Sequence, residues 1–447
     1  MSRRKRGTDS SRRAFLKNSL AGVAGLAGLP LVIPRSALGA GGAAAPSNRI
    51  TMGCIGVGRQ GLANMREFLG SPEVQVMAVC DVDAKRRDAA KNIVEKQYAE
   101  EQTDGQYKGC GAYHDFRELL AREDIDTVLI CTPDHWHAIP AIAAAKAGKD
   151  IYLEKPLTYT VAEGRALSDT VRRCGRVFQV GSQQRSEWCF RFGCELVRNG
   201  RLGKIQAVKV GLPTDPGEGL RPPMPVPPNL DYETWLGPAP WAPYTEDRVH
   251  PQKDYDRPGW LRTVDYCLGM ITGWGAHHND IAQWALGTEY SGPVEIEGQG
   301  VYPRDGVWDV HGDFRIEYTY PSGVKVLCSS EYRVGVTFEG SEGAIYVSRG
   351  ILETNPKALA KETFGPTETH LYVSNSHKGN FLSCVRNRRE TVSPVEIGHR
   401  SCTMCILGSI AMQLGRKLRW DPEHERFVND PEADRLLSRP ARSPWRV

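Results

Sequence analysis

The sequence predicts an α/β fold that opens with a doubly wound parallel sheet and continues into a second α/β domain. Three observations carry this reading. A glycine-rich turn, Gly56-Val57-Gly58-Arg59-Gln60-Gly61, follows an apolar run and opens a helical stretch. Apolar runs and helical segments then alternate as far as residue 181, the pattern of βαβ units. Beyond it comes a run of short strands, with hairpin turns at Tyr320-Pro321-Ser322-Gly323 and Gly340-Ser341-Glu342-Gly343.

The first of these elements carries the most chemistry. Ile50 to Ile55 reads as a buried parallel strand, and Gly56, Gly58 and Gly61 give G-x-G-x-x-G where it meets a helix. Gly56 permits the sharp turn, Gly58 lets backbone reach a pyrophosphate, and Gly61 lets helix and strand pack closely. Arg59 and Gln60 complete the turn, and the helix start offers free N–H groups and a positive dipole end. Asp81 closes the second strand about 20 residues on, where a carboxylate accepts bonds from ribose hydroxyls. The stretch predicts a dinucleotide site. A carboxylate there repels a 2′-phosphate, which favours NAD, with NADP possible. Lys85, Arg86 and Arg87 follow and would attract that phosphate, but they read as the solvated first turn of the next helix.

Residues 1–40 read as an address rather than a fold. Ser11-Arg12-Arg13-Ala14-Phe15-Leu16-Lys17 is similar to a twin-arginine export signal. The apolar run Leu20 to Ile33 is shorter than the roughly 20 residues of a membrane-crossing helix. Small residues from Ala37 to Ala40 suit a cleavage site. The expectation is export in the folded state by the twin-arginine translocase, to the periplasm or another extracytoplasmic space. Eight basic residues against Asp9 give this segment a net +7, so the whole-chain +4 becomes −3 beyond residue 40. No basic surface for nucleic acid survives that correction. The remainder suits a dinucleotide-binding domain over residues 48–181 and a substrate-binding α/β domain over residues 182–447. Of the twelve cysteines, Cys54, Cys80 and Cys131 read as small core residues, and Cys402 and Cys405 share a helical face. Cargo folded in a reducing cytosol implies no disulfide framework.

The alternation continues with a charged helix from Ala84 to Glu101, a short strand Gly111–Tyr113 and a buried strand Asp126–Thr132. An alanine-rich helix, a strand Asp150–Leu153, a helix Thr160–Cys174 and a strand Val177–Gly181 complete the sheet. Two polar clusters stand at strand ends, where open parallel sheets bind their ligands. One is Thr132-Pro133-Asp134-His135-Trp136-His137; the other is Glu154-Lys155-Pro156. In the second half, strands are expected at Ile205–Leu212, Phe314–Tyr320, Lys325–Tyr332, Val336–Glu339 and Ala344–Val347. Pro213 to Trp260, rich in proline and aromatics, reads equally as a surface wrap and as an aromatic wall for a sugar ring. Gly275-Ala276-His277-His278-Asn279-Asp280 opens a helix that Asp280 is expected to cap. Neither histidine pair has a carboxylate or cysteine at ligand spacing, so no metal site is expected.

The motifs GVGRQG, CDVD, TPDHWHA, EKP and GWGAHHND, in that order, resemble the glucose–fructose oxidoreductase and inositol dehydrogenase family, also called Gfo/Idh/MocA. The resemblance implies a Rossmann domain followed by an α/β domain with a large open antiparallel sheet. It implies NAD(P)-dependent oxidation or reduction of a sugar, cyclitol or related polyol, in a homo-oligomer. On the same ground Lys155 is the catalytic acid/base and His277 the catalytic-site histidine. The cofactor is then held by the glycine turn, by Asp81, by Thr132, Pro133, Asp134 and His137, and by Glu154 and Lys155. One departure stands out: Gly273 occupies the position of the family's D-x-G-x-H aspartate. Two alternatives follow, a glycoside hydrolase or lyase that oxidises its sugar transiently, and a non-catalytic sugar or cofactor sensor.

Overall fold

The computed structural model describes residues 48–100, 107–215, 217 and 219–447. The expected export signal lies outside them. Residues from Ile50 onward form one compact unit. Six strands, β1 (Ile50–Ile55), β2 (Val74–Cys80), β3 (Gly111–Tyr113), β4 (Thr127–Ile130), β5 (Asp150–Leu153) and β6 (Phe178–Val180), make the first sheet. Their order is β3-β2-β1-β4-β5-β6, and every pairing is parallel. Strands β4, β5 and β6 are buried at every position, as a sheet covered on both faces requires. Order reverses at β1, so the crevice at its carboxyl end is where a ligand belongs.

The second sheet has nine strands: β7 (Ile205–Gly211), β8 (Glu295–Gly300), β9 (Phe314–Thr319), β10 (Lys325–Ser329), β11 (Gly335–Gly340), β12 (Ala344–Ser348), β13 (Ile351–Asn355), β14 (Leu418–Asp421) and β15 (Arg426–Phe427). They run β13-β12-β11-β7-β10-β9-β8-β14-β15, antiparallel except for β7 beside β10. Both expected hairpin turns join neighbours, β9 to β10 and β11 to β12. The expected strand Lys325–Tyr332 stops at Ser329, and β8, β13, β14 and β15 were not legible in the sequence. The helices Gly275–Leu286 and Val395–Leu414 pack on each other, and the longer one also lies against β8 and β9. Cys402 and Cys405 are buried on that longer helix, and all twelve cysteines are free.

Two expectations fail here for one reason, burial. Asp280 does not cap its helix. It sits inside Gly275–Leu286, 2% exposed, and accepts from Arg185 Nε at 2.6 Å, Arg185 Nη2 at 2.8 Å and Ser401 Oγ at 2.6 Å. Arg86 is not solvated. It is buried, donates to the carbonyls of Pro251 (2.8 Å) and Asp254 (3.2 Å), and lies over the Tyr255 ring. A buried charge needs such partners, and sequence spacing gives no hint of them.

The described residues of Pro213–Trp260 contribute partly to a core and partly to the cleft wall. Tyr232, Trp235 and Tyr244 join Tyr266 in a small core of their own, while Trp241 is exposed. Trp235 and Trp260 also face the main cleft. Among the described residues no helix is long and apolar enough to cross a membrane.

Candidate functional site

A cleft of about 920 Å³ runs along the carboxyl ends of the parallel strands and on to the second sheet's helices. Its nucleotide half is built from backbone. Gly56 has φ +79°, and a Cβ there would stand 2.7 Å from the Cys131 carbonyl; one on Gly61 would stand 2.0 Å from the Gly56 oxygen. Both positions therefore exclude any side chain. Gly58 is different, with only Arg86 Nη1 at 3.8 Å, so its backbone is open to the cleft. It precedes the Arg59–Leu69 helix, whose start has no side-chain cap and no acid in its first turn. Those free N–H groups fit a pyrophosphate.

Asp81 closes this half. Its Oδ2 accepts from Val57 N–H and its Oδ1 from Asp83 N–H, both at 2.9 Å. One carboxylate thus ties the glycine turn to the end of β2, with a lone pair on each oxygen left for ribose hydroxyls. Burial raises the Asp81 pKa, opposed by those two backbone bonds.

Around the turn, the two strand-end clusters are locked together. Both ring nitrogens of His137 face carbonyl oxygens, Nδ1 to Pro156 at 2.6 Å and Nε2 to Thr132 at 2.9 Å. A neutral ring donates to only one of them, and burial depresses the His137 pKa to about 4. Neither nitrogen is free for a metal, and no group of three potential ligands occurs among the described residues. His135 Nε2 and Trp136 Nε1 both point at the Trp235 carbonyl, fastening this loop to the aromatic segment. Glu154 accepts from Asn64 Nδ2 (2.7 Å), Gln183 Nε2 (3.2 Å) and the Lys155 N–H (3.3 Å). Asn64 and Gln183 escaped sequence reading; only Asn64's place on the inner face of a Rossmann helix could have marked it.

The other half gathers Lys155, Gly273, Trp274, His277 and Arg349. Lys155 Nζ donates to the Gly273 carbonyl at 2.8 Å, so backbone stands where a carboxylate was expected. A Cβ on Gly273 would meet only Met270 Sδ at 3.8 Å, so nothing steric forbids a side chain. His277 is buried, lines the cleft, and has no partner on Nδ1. Burial, then the charges of Lys155 and Arg349, holds its pKa well below 6.5. The ring is thereby favoured in its neutral form, with Nδ1 open to a hydrogen bond. His278 differs: it is absent from the cleft wall and its Nδ1 bonds the Gly211 carbonyl at 3.0 Å. Arg349, at the β12–β13 turn, lies over the Trp274 ring at 4.9 Å.

Asp134 is the remaining carboxyl of this half. It is 4% exposed, and burial raises its pKa to about 8 against the lowering effect of Lys155. Of the residues expected to hold the cofactor or to be catalytic, all but Gly61 line the cleft, and Gly61 packs against the Gly56 carbonyl.

Comparison with known proteins agrees with this geometry. Residues 50–182 match a family described as "Oxidoreductase family, NAD-binding Rossmann fold", and residues 216–447 match its "C-terminal alpha/beta domain". Among curated proteins, the uncharacterized oxidoreductase YrbE of Bacillus subtilis is 30% identical over 42% of this chain and 48% of its own. A glycosyl hydrolase family 109 protein of Shewanella pealeana is 33% identical over 36% of this chain and 37% of its own. The chain thus spans less than half the length of these relatives. Among solved structures, the WlbA dehydrogenase of Bordetella pertussis, crystallised with NADH and UDP-GlcNAcA, is 16% identical with a TM-score of 0.60. The alignment covers 83% of this chain and 99% of that one. Levoglucosan dehydrogenase, in complex with NADH and L-sorbose, superposes with a TM-score of 0.59 at 17% identity, over 83% and 99% of the two chains. At such identities these structures speak for the fold alone. With both domain matches in hand, the chain belongs to the Gfo/Idh/MocA oxidoreductase family and carries its NAD-binding Rossmann domain.

Proposed function

We propose that this chain is an exported NAD-dependent oxidoreductase that transfers hydride to or from a sugar, cyclitol or related polyol. The observation that carries the reading is Lys155: an amine held by the Gly273 carbonyl, in the same cleft as a built nucleotide cradle. Bound NAD supplies the hydride acceptor. In the oxidative direction Lys155 Nζ, in its neutral amine form, would take the hydroxyl proton as hydride leaves the same carbon. His277, neutral and with Nδ1 unpartnered, orients a substrate hydroxyl. Its sugar class is supported by the family and by the sugar-bearing structural neighbours. Export rests on the twin-arginine resemblance of residues 11–17, and the homo-oligomer on the family resemblance. The test supplies a panel of sugars, sugar acids and polyols with NAD or NADP and follows reduced nucleotide. Stoichiometric NADH with one class is the expected result.

A second reading has one observation of its own. Asp134 is buried in the cleft wall, where burial raises its pKa to about 8 and favours a proton that a leaving oxygen would take. Glycosyl hydrolase family 109 proteins are among its relatives, matched over 36% of this chain. In that reading a hydroxyl-bearing sugar carbon would lose hydride and its hydroxyl proton, and the neighbouring C–H would be deprotonated. The glycosidic C–O bond would break as its oxygen takes a proton, water would add across the resulting C=C, and hydride and a proton would return to the carbonyl. Aryl glycosides cleaved without net NADH would establish it.

A further inference from the structure

The last ten residues reach the cleft. Trp445 lines it, with its ring 4.8 Å from the Trp136 ring at 71° and under the guanidinium of Arg117 at 5.6 Å. Trp136 belongs to the loop after β4, and Arg117 follows β3. Lys155 follows β5. Trp445 thus stands between the loop after β4 and the segment after β3. The short helix that receives Arg442 starts at Asp231, whose N–H donates to the Val82 carbonyl just past Asp81 (3.1 Å) and whose carboxylate bonds His114 after β3 (2.8 Å). The tail therefore docks against the Asp81 end of the cleft. That is the adenosine half of a dinucleotide.

The tail is held at residues three apart. Arg439 donates to the Asp265 carbonyl at 2.8 Å and stacks over the Tyr159 ring at 3.6 Å. Arg442 donates from Nε to the Gly237 carbonyl (3.0 Å) and from Nη2 to the Glu233 carbonyl (2.8 Å), and pairs with the Glu233 carboxylate. Trp445 is the third anchor. Pro440, Ala441, Ser443 and Pro444 between them are exposed. The receiving surface is fitted to it: Gly237, at φ +52°, sits so close to Trp136 that a Cβ would be 2.3 Å from the indole. Three anchoring residues with exposed chain between them describe a segment that opens locally at low cost.

We propose that residues 438–447 form a latch over the adenosine half of the cleft, with Trp445 as a nucleotide-contacting residue. Its opening sets how fast NAD(H) enters and leaves. Arg442 makes the sharp test, because it anchors the tail without lining the cleft. The full chain is loaded with NADH and chased with excess NAD while nucleotide fluorescence is followed; association is measured separately by stopped flow. In Arg442→Ala, and in a chain ending at Leu437, both the off-rate and the on-rate are expected to rise about tenfold, because a removed lid frees both directions. Trp445→Ala should raise the off-rate further than Arg442→Ala, since it loses a wall as well as an anchor. Off-rates in folded Arg442→Ala within about twofold of the parent overturn the latch. So does an off-rate that rises with the on-rate unchanged, which would make Trp445 a plain wall. Absence of NADH binding by the parent would instead bring down the cofactor assignment along with it.

Discussion

The two halves of the cleft are built by opposite strategies. The nucleotide half is local in sequence: residues 56 to 81 supply the glycine turn, the helix start and the carboxylate, and most of its donors are backbone N–H groups. The half around Lys155 is assembled from distant segments, with Lys155 after β5, Gly273 and His277 around a helix start, and Arg349 at a β-hairpin. Backbone cradles recognise what every dinucleotide shares, whereas scattered side chains can be exchanged one at a time. At Gly273, where the resemblance implies an aspartate, the carbonyl oxygen accepts from Lys155 instead. A carbonyl can hold Lys155 Nζ in place but cannot take its proton onward.

Lys155→Met should separate the halves most strongly. Met keeps the volume and loses the amine, so turnover should fall by about 10³-fold or more while NADH binding persists. Near-parental turnover in stopped-flow assays would remove Lys155 from the chemistry. Loss of NADH binding would show that the halves are not separable. His277→Ala should cost on the order of 10² in turnover, an orienting hydrogen bond in a buried site. His278→Ala should act on stability instead, by freeing the buried Gly211 carbonyl, about 1–3 kcal/mol by denaturant titration. The reverse order would place the working ring at His278.

Asp81→Ala should weaken NAD by about tenfold, the worth of a hydrogen bond to a charged group, and narrow its advantage over NADP. The structure sharpens this expectation. Because Asp81 also holds Val57 N–H, the variant should loosen the glycine turn, raising amide exchange at Val57 even without nucleotide. Unchanged exchange together with unchanged cofactor preference by calorimetry would place Asp81 outside the ribose site.

Legibility followed the same division. The parallel sheet, its glycine turn and the acid at the end of β2 were readable because each depends on neighbours within one βαβ unit. Lys155 and His277 were readable only through motifs, since no periodicity points at a cleft assembled from four segments. Asp280 and Arg86 were misread because their partners, Arg185 and the Pro251–Asp254 carbonyls, lie far away in sequence. Strand β8 interrupts its alternation with glycine and charge (EIEGQG), β14 has only four residues, and the two-residue β15 at the sheet's edge has no pattern to detect. Trp445 was invisible for a simpler reason: nothing in a proline- and arginine-rich tail predicts where it docks.

The smallest expected effect belongs to Asp134→Asn, and it discriminates the two functional readings. For hydride transfer through Lys155 no proton from Asp134 is required, and the amide nearly preserves shape. Turnover at pH 7 should then stay within about threefold of the parent, as for a near-isosteric change away from the proton path. If the cleft instead breaks glycosidic bonds with Asp134 as proton donor, the same variant should lose about 10²-fold or more. Stability gives an independent readout with a definite sign. The folded carboxyl is raised to about 8 by burial, whereas in the unfolded chain it titrates near 4. Between those values the native state holds a proton that the unfolded chain has released, so stability falls as pH rises through the window. The slope is up to about 1.4 kcal/mol per pH unit, and it flattens above the folded value. Asp134→Asn has no proton to lose. Its melting temperature should therefore gain on the parent's from pH 5 to pH 8 and keep the advantage beyond. Parallel curves would mean that Asp134 is ionised in the cleft throughout, and that the proton needed for the second reading is not there.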